Sequence, residues 1–162
     1  MLGQVLARSR AAFLWLKVTK LSANGNHAEA LERIRFANEK LRKFYYLRTL
    51  EVQQLAFHGN DVGALEQAKA LIADLAEKTS ANERYFLAYA RWIGQAAFRR
   101  LYSSSEPPSE LMLSASAIPT AGVSPTWRRH FVIPLDASGE PIELSPSIAS
   151  IPREAFARPD VS

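Results

Sequence analysis

The sequence contains no cysteine. That excludes a disulfide framework, a thiolate nucleophile, an iron–sulfur cluster and cysteine-rich zinc sites. It leaves the compartment open, because a chain without thiols is stable in either redox environment. Histidine is scarce as well. His27, His58 and His130 stand far apart and form neither an HExxH nor an HxH pair, so no mononuclear zinc site is expected. The seven glycines make no GxxxxGK or GxGxxG pattern, which removes the phosphate cradles that such loops supply. No apolar run reaches the roughly 18 residues that a membrane-spanning helix needs. Proline is absent from residues 1–103, and all nine prolines fall in residues 104–162. Proline lacks a backbone donor and clashes with the preceding helical turn. Its absence, in a stretch rich in Ala, Leu, Glu, Gln, Arg and Lys, is what helices favour.

What the chain does have is enough apolar material for a core: 48% of its 162 residues are hydrophobic and 22% charged. That suits one domain, or one domain with an appendage. The charge is uneven. Residues 1–48 carry ten Lys/Arg and three Glu, a net of +7; residues 49–103 balance to zero, and residues 104–162 sum to −3. A positive end attracts nucleic acid, anionic lipid or an acidic partner, or simply solubilises a face. The first acidic residue is Glu29, and Arg8, Arg10, Lys17 and Lys20 are interspersed with Leu and Ala. The apolar segment Ala11–Leu16 is short and follows both arginines, which resembles a poor signal peptide or an organelle-type presequence. The compartment is therefore unknown, with a lean to the cytoplasm and an N-terminal targeting segment left open.

Periodicity predicts helices over about residues 3–21, 62–78 and 81–102. Ser22–Asn26 ends the first; Asn26 is the expected N-cap of the next, with Glu29 as its capping-box partner. Residues 28–57 read either as one long helix or as two antiparallel helices turning near Asn38–Phe44. His58-Gly59-Asn60-Asp61 is a stop and restart, and Ser80 and Glu83 have capping-box spacing. The last helix carries Tyr85, Phe86, Tyr89 and Trp92, so it packs centrally or keeps one side for a partner or for the tail. The tail is Ser/Pro-rich. Trp127–Leu135 has strand-like content, Asp136–Glu140 is turn-like, and a short β-hairpin is expected over 129–144, with Ile148, Ile151 and Phe156 as further anchors. The expected fold is all-α: antiparallel helical hairpins over residues 1–103, repeat-like or a small bundle, followed by the proline-rich tail of residues 104–162.

Gly25-Asn26-His27-Ala28-Glu29-Ala30-Leu31-Glu32 and Gly59-Asn60-Asp61-Val62-Gly63-Ala64-Leu65-Glu66 lie 34 residues apart, with Gly, Asn, Ala, Leu and Glu in register. Each reads as a tight turn, a helix start, then a small and a large inward residue. The segment of about 14–77 resembles a tetratricopeptide repeat, whose unit is two helices in 34 residues. The resemblance implies that Gly25 and Gly59 are inter-helix glycines and that Ala30 and Ala64 are close-packing alanines, followed by Leu31 and Leu65. It also implies a protein-binding face. The departures are plain: Leu14 and Arg48 stand where the family places an aromatic, Ala68 where a bulky residue is usual, and Arg42 and Ala76 where a proline separates units.

No catalytic constellation stands out. Glu29, Glu32 and Glu66 read as solvated helix charges, since the Glu-x-x-His pattern of a di-iron bundle is missing. Ser103–Ser105 has no adjacent base. No cofactor is expected. The leading expectation is a non-enzymatic helical interaction module, an adaptor, chaperone or assembly subunit. Its candidate partner-binding residues are Arg35, Arg42, Lys43, Tyr46, Tyr85, Tyr89 and Trp92. The alternative is a basic subunit of a nucleic-acid assembly, using Arg33, Arg35, Lys40, Arg42, Lys43 and Arg48 among Phe44, Tyr45 and Tyr46.

Overall fold

The structure is a computed structural model and describes residues 2–142. The proline-free stretch forms five helices: α1 Leu2–Ala23, α2 His27–Asn38, α3 Tyr45–Phe57, α4 Asp61–Leu75 and α5 Ala81–Leu101. Single turns of 3-10 helix follow at Ser109–Leu111 and Ala115–Ala117, and then a short helix, α6, at Pro125–His130. Each of α1 to α4 packs against its successor; α3 also meets α5, and α1 meets α3. The fold is all-α with antiparallel packing of helices, as the periodicity predicts.

The chain turns in the same way at the two places 34 residues apart. Gly25 and Gly59 have φ of +84° and +80°, which suits glycine because a side chain is strained there. The Gly25 amide donates to the Ser22 carbonyl and the Asn26 amide to that of Leu21; Gly59 and Asn60 donate to Ala56 and Leu55 in the same pattern. Both helix ends are Schellman motifs, which satisfy carbonyls that would otherwise lack partners. Ala30 and Ala64 are then fully buried, with Leu31 and Leu65 beside them. The two caps differ. Asn60 accepts the Gly63 amide at 2.9 Å. Asn26 makes no side-chain cap bond, and Glu29 pairs with Arg33 at 3.1 Å instead. At α5 Ser80 is the N-cap and pairs with Glu83 through its side chain: the Glu83 amide donates to Ser80 Oγ at 3.2 Å, and the Ser80 hydroxyl donates to the Glu83 carboxylate at 2.6 Å.

Residues 28–57 are two helices. The break between them has neither Gly nor Pro and is tied from inside. Buried Asn38 donates through Nδ2 to the Leu47 carbonyl at 3.2 Å and to Glu51 Oε1 at 2.9 Å. These bonds clamp the end of α2 to the start of α3.

The interior gathers Trp15 and Val18, Ile34, Leu47, Leu50 and Leu55, Leu71 and Leu75, and Tyr89 and Ile93 from α1 through α5. Leu111, Val123, Phe131 and Ile133 of the tail belong to the same buried cluster. Gly94 marks one of these contacts. A Cβ there would lie 3.0 Å from Leu111 Cδ2 and 3.1 Å from Ala68 Cβ, so α5 presents bare backbone where α4 and the tail close on it.

The strand expected from Trp127 is replaced by α6. Ser124 Oγ accepts the Thr126 amide and Pro125 fills the first helical turn, where its missing N–H costs nothing. Of the expected 129–144 hairpin, the described residues hold one isolated antiparallel bridge, Leu135 to Pro141. Its turn is real: the Asp136 carboxylate accepts from the Ser138 amide and hydroxyl and from the Glu140 amide at 2.7–3.0 Å. Residues 143 and 144 of that hairpin, and the anchors Ile148, Ile151 and Phe156, lie outside the described residues.

Candidate functional site

Helices α1, α3 and α5 each present side chains to one hollow, and α6 lies in it. Trp15 of α1 meets Tyr46, Trp127, His130 and Phe131 edge-on at 4.5–5.7 Å between ring centres. Tyr46 of α3 stacks on Trp127 at 5.0 Å. Phe86 and Tyr89 of α5 complete the nest, at 5.4 Å from Trp127 and 5.0 Å from Phe131 respectively. Such aromatic pairs contribute about 0.5–1.5 kcal/mol each beyond the area they bury.

Polar side chains fix the register of the inserted segment. The end of a helix leaves carbonyls without partners, and here the hollow supplies donors. The Tyr85 hydroxyl donates to the Phe131 carbonyl at 2.7 Å. Gln53 Nε2 donates to the His130 carbonyl at 3.2 Å and to Tyr89 Oη at 3.1 Å. Further along, Asn82 accepts the Ser124 amide at 2.8 Å, and Trp92 Nε1 donates to the Ile142 carbonyl at 2.9 Å. Burial pushes the Tyr85 hydroxyl up to about 12, with the nearby Arg128 charge opposing it. It pushes Tyr89 higher still against the Gln53 hydrogen bond, and raises Tyr46 as well. These hydroxyls stay protonated at neutral pH and serve as hydrogen-bonding groups rather than as acids or bases.

Three candidate partner-binding residues are thereby reassigned. Tyr85, Tyr89 and Trp92 are 5%, 0% and 3% exposed and are occupied by the chain's own tail. Tyr46 is half-buried in the aromatic nest. Arg35 is exposed, 3.8 Å from the Glu51 carboxylate, and Arg42 and Lys43 are exposed in the turn between α2 and α3. Two of the basic residues are engaged within the chain. Arg48 is buried, paired with Asp74 at 2.6 Å and set over the Tyr45 ring, and Arg33 is held by Glu29. Glu29, Glu32 and Glu66 are exposed. Among the described residues no group of three or more His, Asp or Glu is placed to hold a metal ion. Gly25, Ala30, Leu31, Gly59, Ala64 and Leu65 all sit at the two hairpins, as described above.

Trp15, Gln53, Trp127 and Phe131, which make the hollow, did not stand out in the sequence. Their association spans more than a hundred residues, and the one local signal was the Ser124-Pro125 helix start. The breadth of the apolar surface of α1 leaves an outward face. Val5, Leu6, Phe13 and Leu16 are 58%, 52%, 67% and 64% exposed, while Ala11, Trp15 and Val18 face the core. Arg8, Arg10, Lys17 and Lys20, all exposed, flank that apolar face. α1 is thus apolar on two opposite sides, and among the described residues one of them is uncovered. No helix among the described residues is long and apolar enough to cross a membrane. No family model, no curated protein and no solved structure matches the chain, so the hollow and the α1 face are read from their own geometry alone.

Proposed function

We propose that the protein is a non-enzymatic helical interaction module, a degenerate tetratricopeptide-like array working as an adaptor, chaperone or assembly subunit. The observation that carries this reading is the outward face of α1, with four large apolar side chains left in solvent beside four cations. A contiguous apolar patch rimmed by charge is the usual mark of a docking surface. The two hairpins that turn alike, with a small residue at each close approach, support the array description. Because α6 fills the hollow, a partner is met on the outside of the array. Pull-down of the tagged full chain, with and without nuclease and read by mass spectrometry, tests the reading: defined protein partners recovered equally in both conditions are expected.

Exposed Arg35, Arg42 and Lys43 favour one second reading, a nucleic-acid-associated subunit. Under it, recovery is lost on nuclease treatment, and Arg42→Glu with Lys43→Glu weakens binding with a steep salt dependence.

A further inference from the structure

We infer that the outward face of α1 seats an acidic amphipathic helix of a partner protein, laid along α1 much as α2 is laid along its other side. The inference rests on the interaction-module reading and names the chemistry of the occupant.

The face has the shape of a helix-packing seam. Val5, Ser9, Ala12 and Leu16 recur at spacings of four, three and four residues, and all four are exposed. That is the row along which one helix meets another. Large residues close its two ends. Small Ser9 and Ala12 lie between them and let a second backbone come near, while Leu6 and Phe13 stand one row aside as a ridge. At 1.5 Å per residue the seam is about 17 Å long, three turns of a partner helix.

The charge selects the occupant. Arg8 lies on one margin of the seam, Arg10 and Lys17 lie on the other side beyond the Leu6 and Phe13 ridge, and Lys20 follows its end; no acidic residue precedes Glu29. An occupant with Glu or Asp along its margins meets complementary charge on both sides. A second copy of α1, paired symmetrically, would bring the same cations together and be repelled. A bilayer interface favours Trp and Tyr, and the one tryptophan of α1, Trp15, is turned into the core against Tyr46 and Trp127. The array also leaves this end open. At the other end α5 is covered by the Ser109–Leu111 turn and the tail beyond it, whereas stacked helical units need both ends covered.

The test uses the full chain and two fluorescent synthetic helices of about five turns. They share one Leu/Ala seam and carry either Glu or Lys along its margins. The Glu peptide is expected to bind and the Lys peptide to bind at least about tenfold more weakly. Phe13→Glu and Leu16→Glu, both at exposed positions and checked by circular dichroism, should abolish binding, while Val62→Glu, on exposed α4 surface, should not. Arg10→Glu combined with Lys17→Glu should reverse the preference between peptides. Equal binding of both peptides, still lost in Leu16→Glu, overturns the acidic occupant and leaves a docking face standing. Binding of neither peptide overturns the inference; if nuclease-resistant protein partners are nevertheless recovered, the module reading survives it. Co-sedimentation with phosphatidylserine vesicles without binding of the Glu peptide assigns the face to lipid and overturns it too. So does a concentration-dependent dimer that Leu16→Glu dissolves.

Discussion

Tyr85 joins two parts of the chain that are 46 residues apart by a single hydroxyl, and its ionisation tells whether that bond is made. In the unfolded chain the hydroxyl titrates near its ordinary 10.0; in the fold burial lifts it to about 12. The folded state therefore holds a proton that the unfolded state has lost. Below pH 10 the contribution is complete, and it declines as pH climbs from 10 towards 12, by at most about 1.4 kcal/mol per pH unit from this group. Tyr89, raised further for the same reason, adds to the decline. Urea unfolding followed across that range should show stability falling steeply with pH. Tyr85→Phe should be less stable near neutral pH by about 1–3 kcal/mol, since the buried Phe131 carbonyl loses its donor, but should fall less steeply above pH 10. A slope unchanged by the substitution would mean that the hydroxyl is not buried against Phe131.

At the scale of elements, the two Schellman turns set the hairpins. An L side chain at φ near +80° is strained, so Gly25→Ala and Gly59→Ala should each cost about 1 kcal/mol or slightly more. No neighbour lies within 4 Å of the added methyl in either case, which makes the loss one of backbone conformation rather than of packing. Thermal melts of the two variants should shift by similar amounts; a neutral outcome at one site would show that the two turns are not equivalent. These elements were legible in the sequence because their signals are local: a glycine, an Asn or Ser cap, and a proline-free apolar stripe. The break between α2 and α3 was legible only as one of two alternatives, because what decides it is buried Asn38 reaching Leu47 and Glu51, a tertiary tie with no local marker. Helix α6 was missed, its residues being read as strand. Ser124-Pro125 is a helix start, but the aromatic and β-branched run that follows has strand composition, and packing against Trp15 and Phe86 decided between them.

Across the whole molecule, the compositional border near residue 103 is not a border in packing. The aromatic density of α5 announced central packing or a side kept for a partner or for the tail; which residues cover it, Trp127 and Phe131, is set by chain return over a distance that no sequence window covers. A chain ending at Ser103 would uncover Trp15, Tyr46, Phe86 and Tyr89 together. Each large side chain returned to water costs about 1.5–3 kcal/mol, and a few such losses rival the roughly 5–15 kcal/mol that holds a domain folded. The shortened chain is expected to keep most of its far-ultraviolet helical signal, melt well below the full chain and bind a hydrophobic dye. A sharp, unshifted melt would show that residues 2–103 are stable alone.

The late position of α6 has a consequence for the nascent protein. About thirty residues separate the end of α5 from Phe131, and translation adds roughly 5–20 residues per second. For seconds on the ribosome, five helices are ready to assemble while the segment that seals their aromatic hollow has not yet been made. Throughout that interval Trp15, Tyr46, Phe86 and Tyr89 lack the rings that cover them in the finished fold.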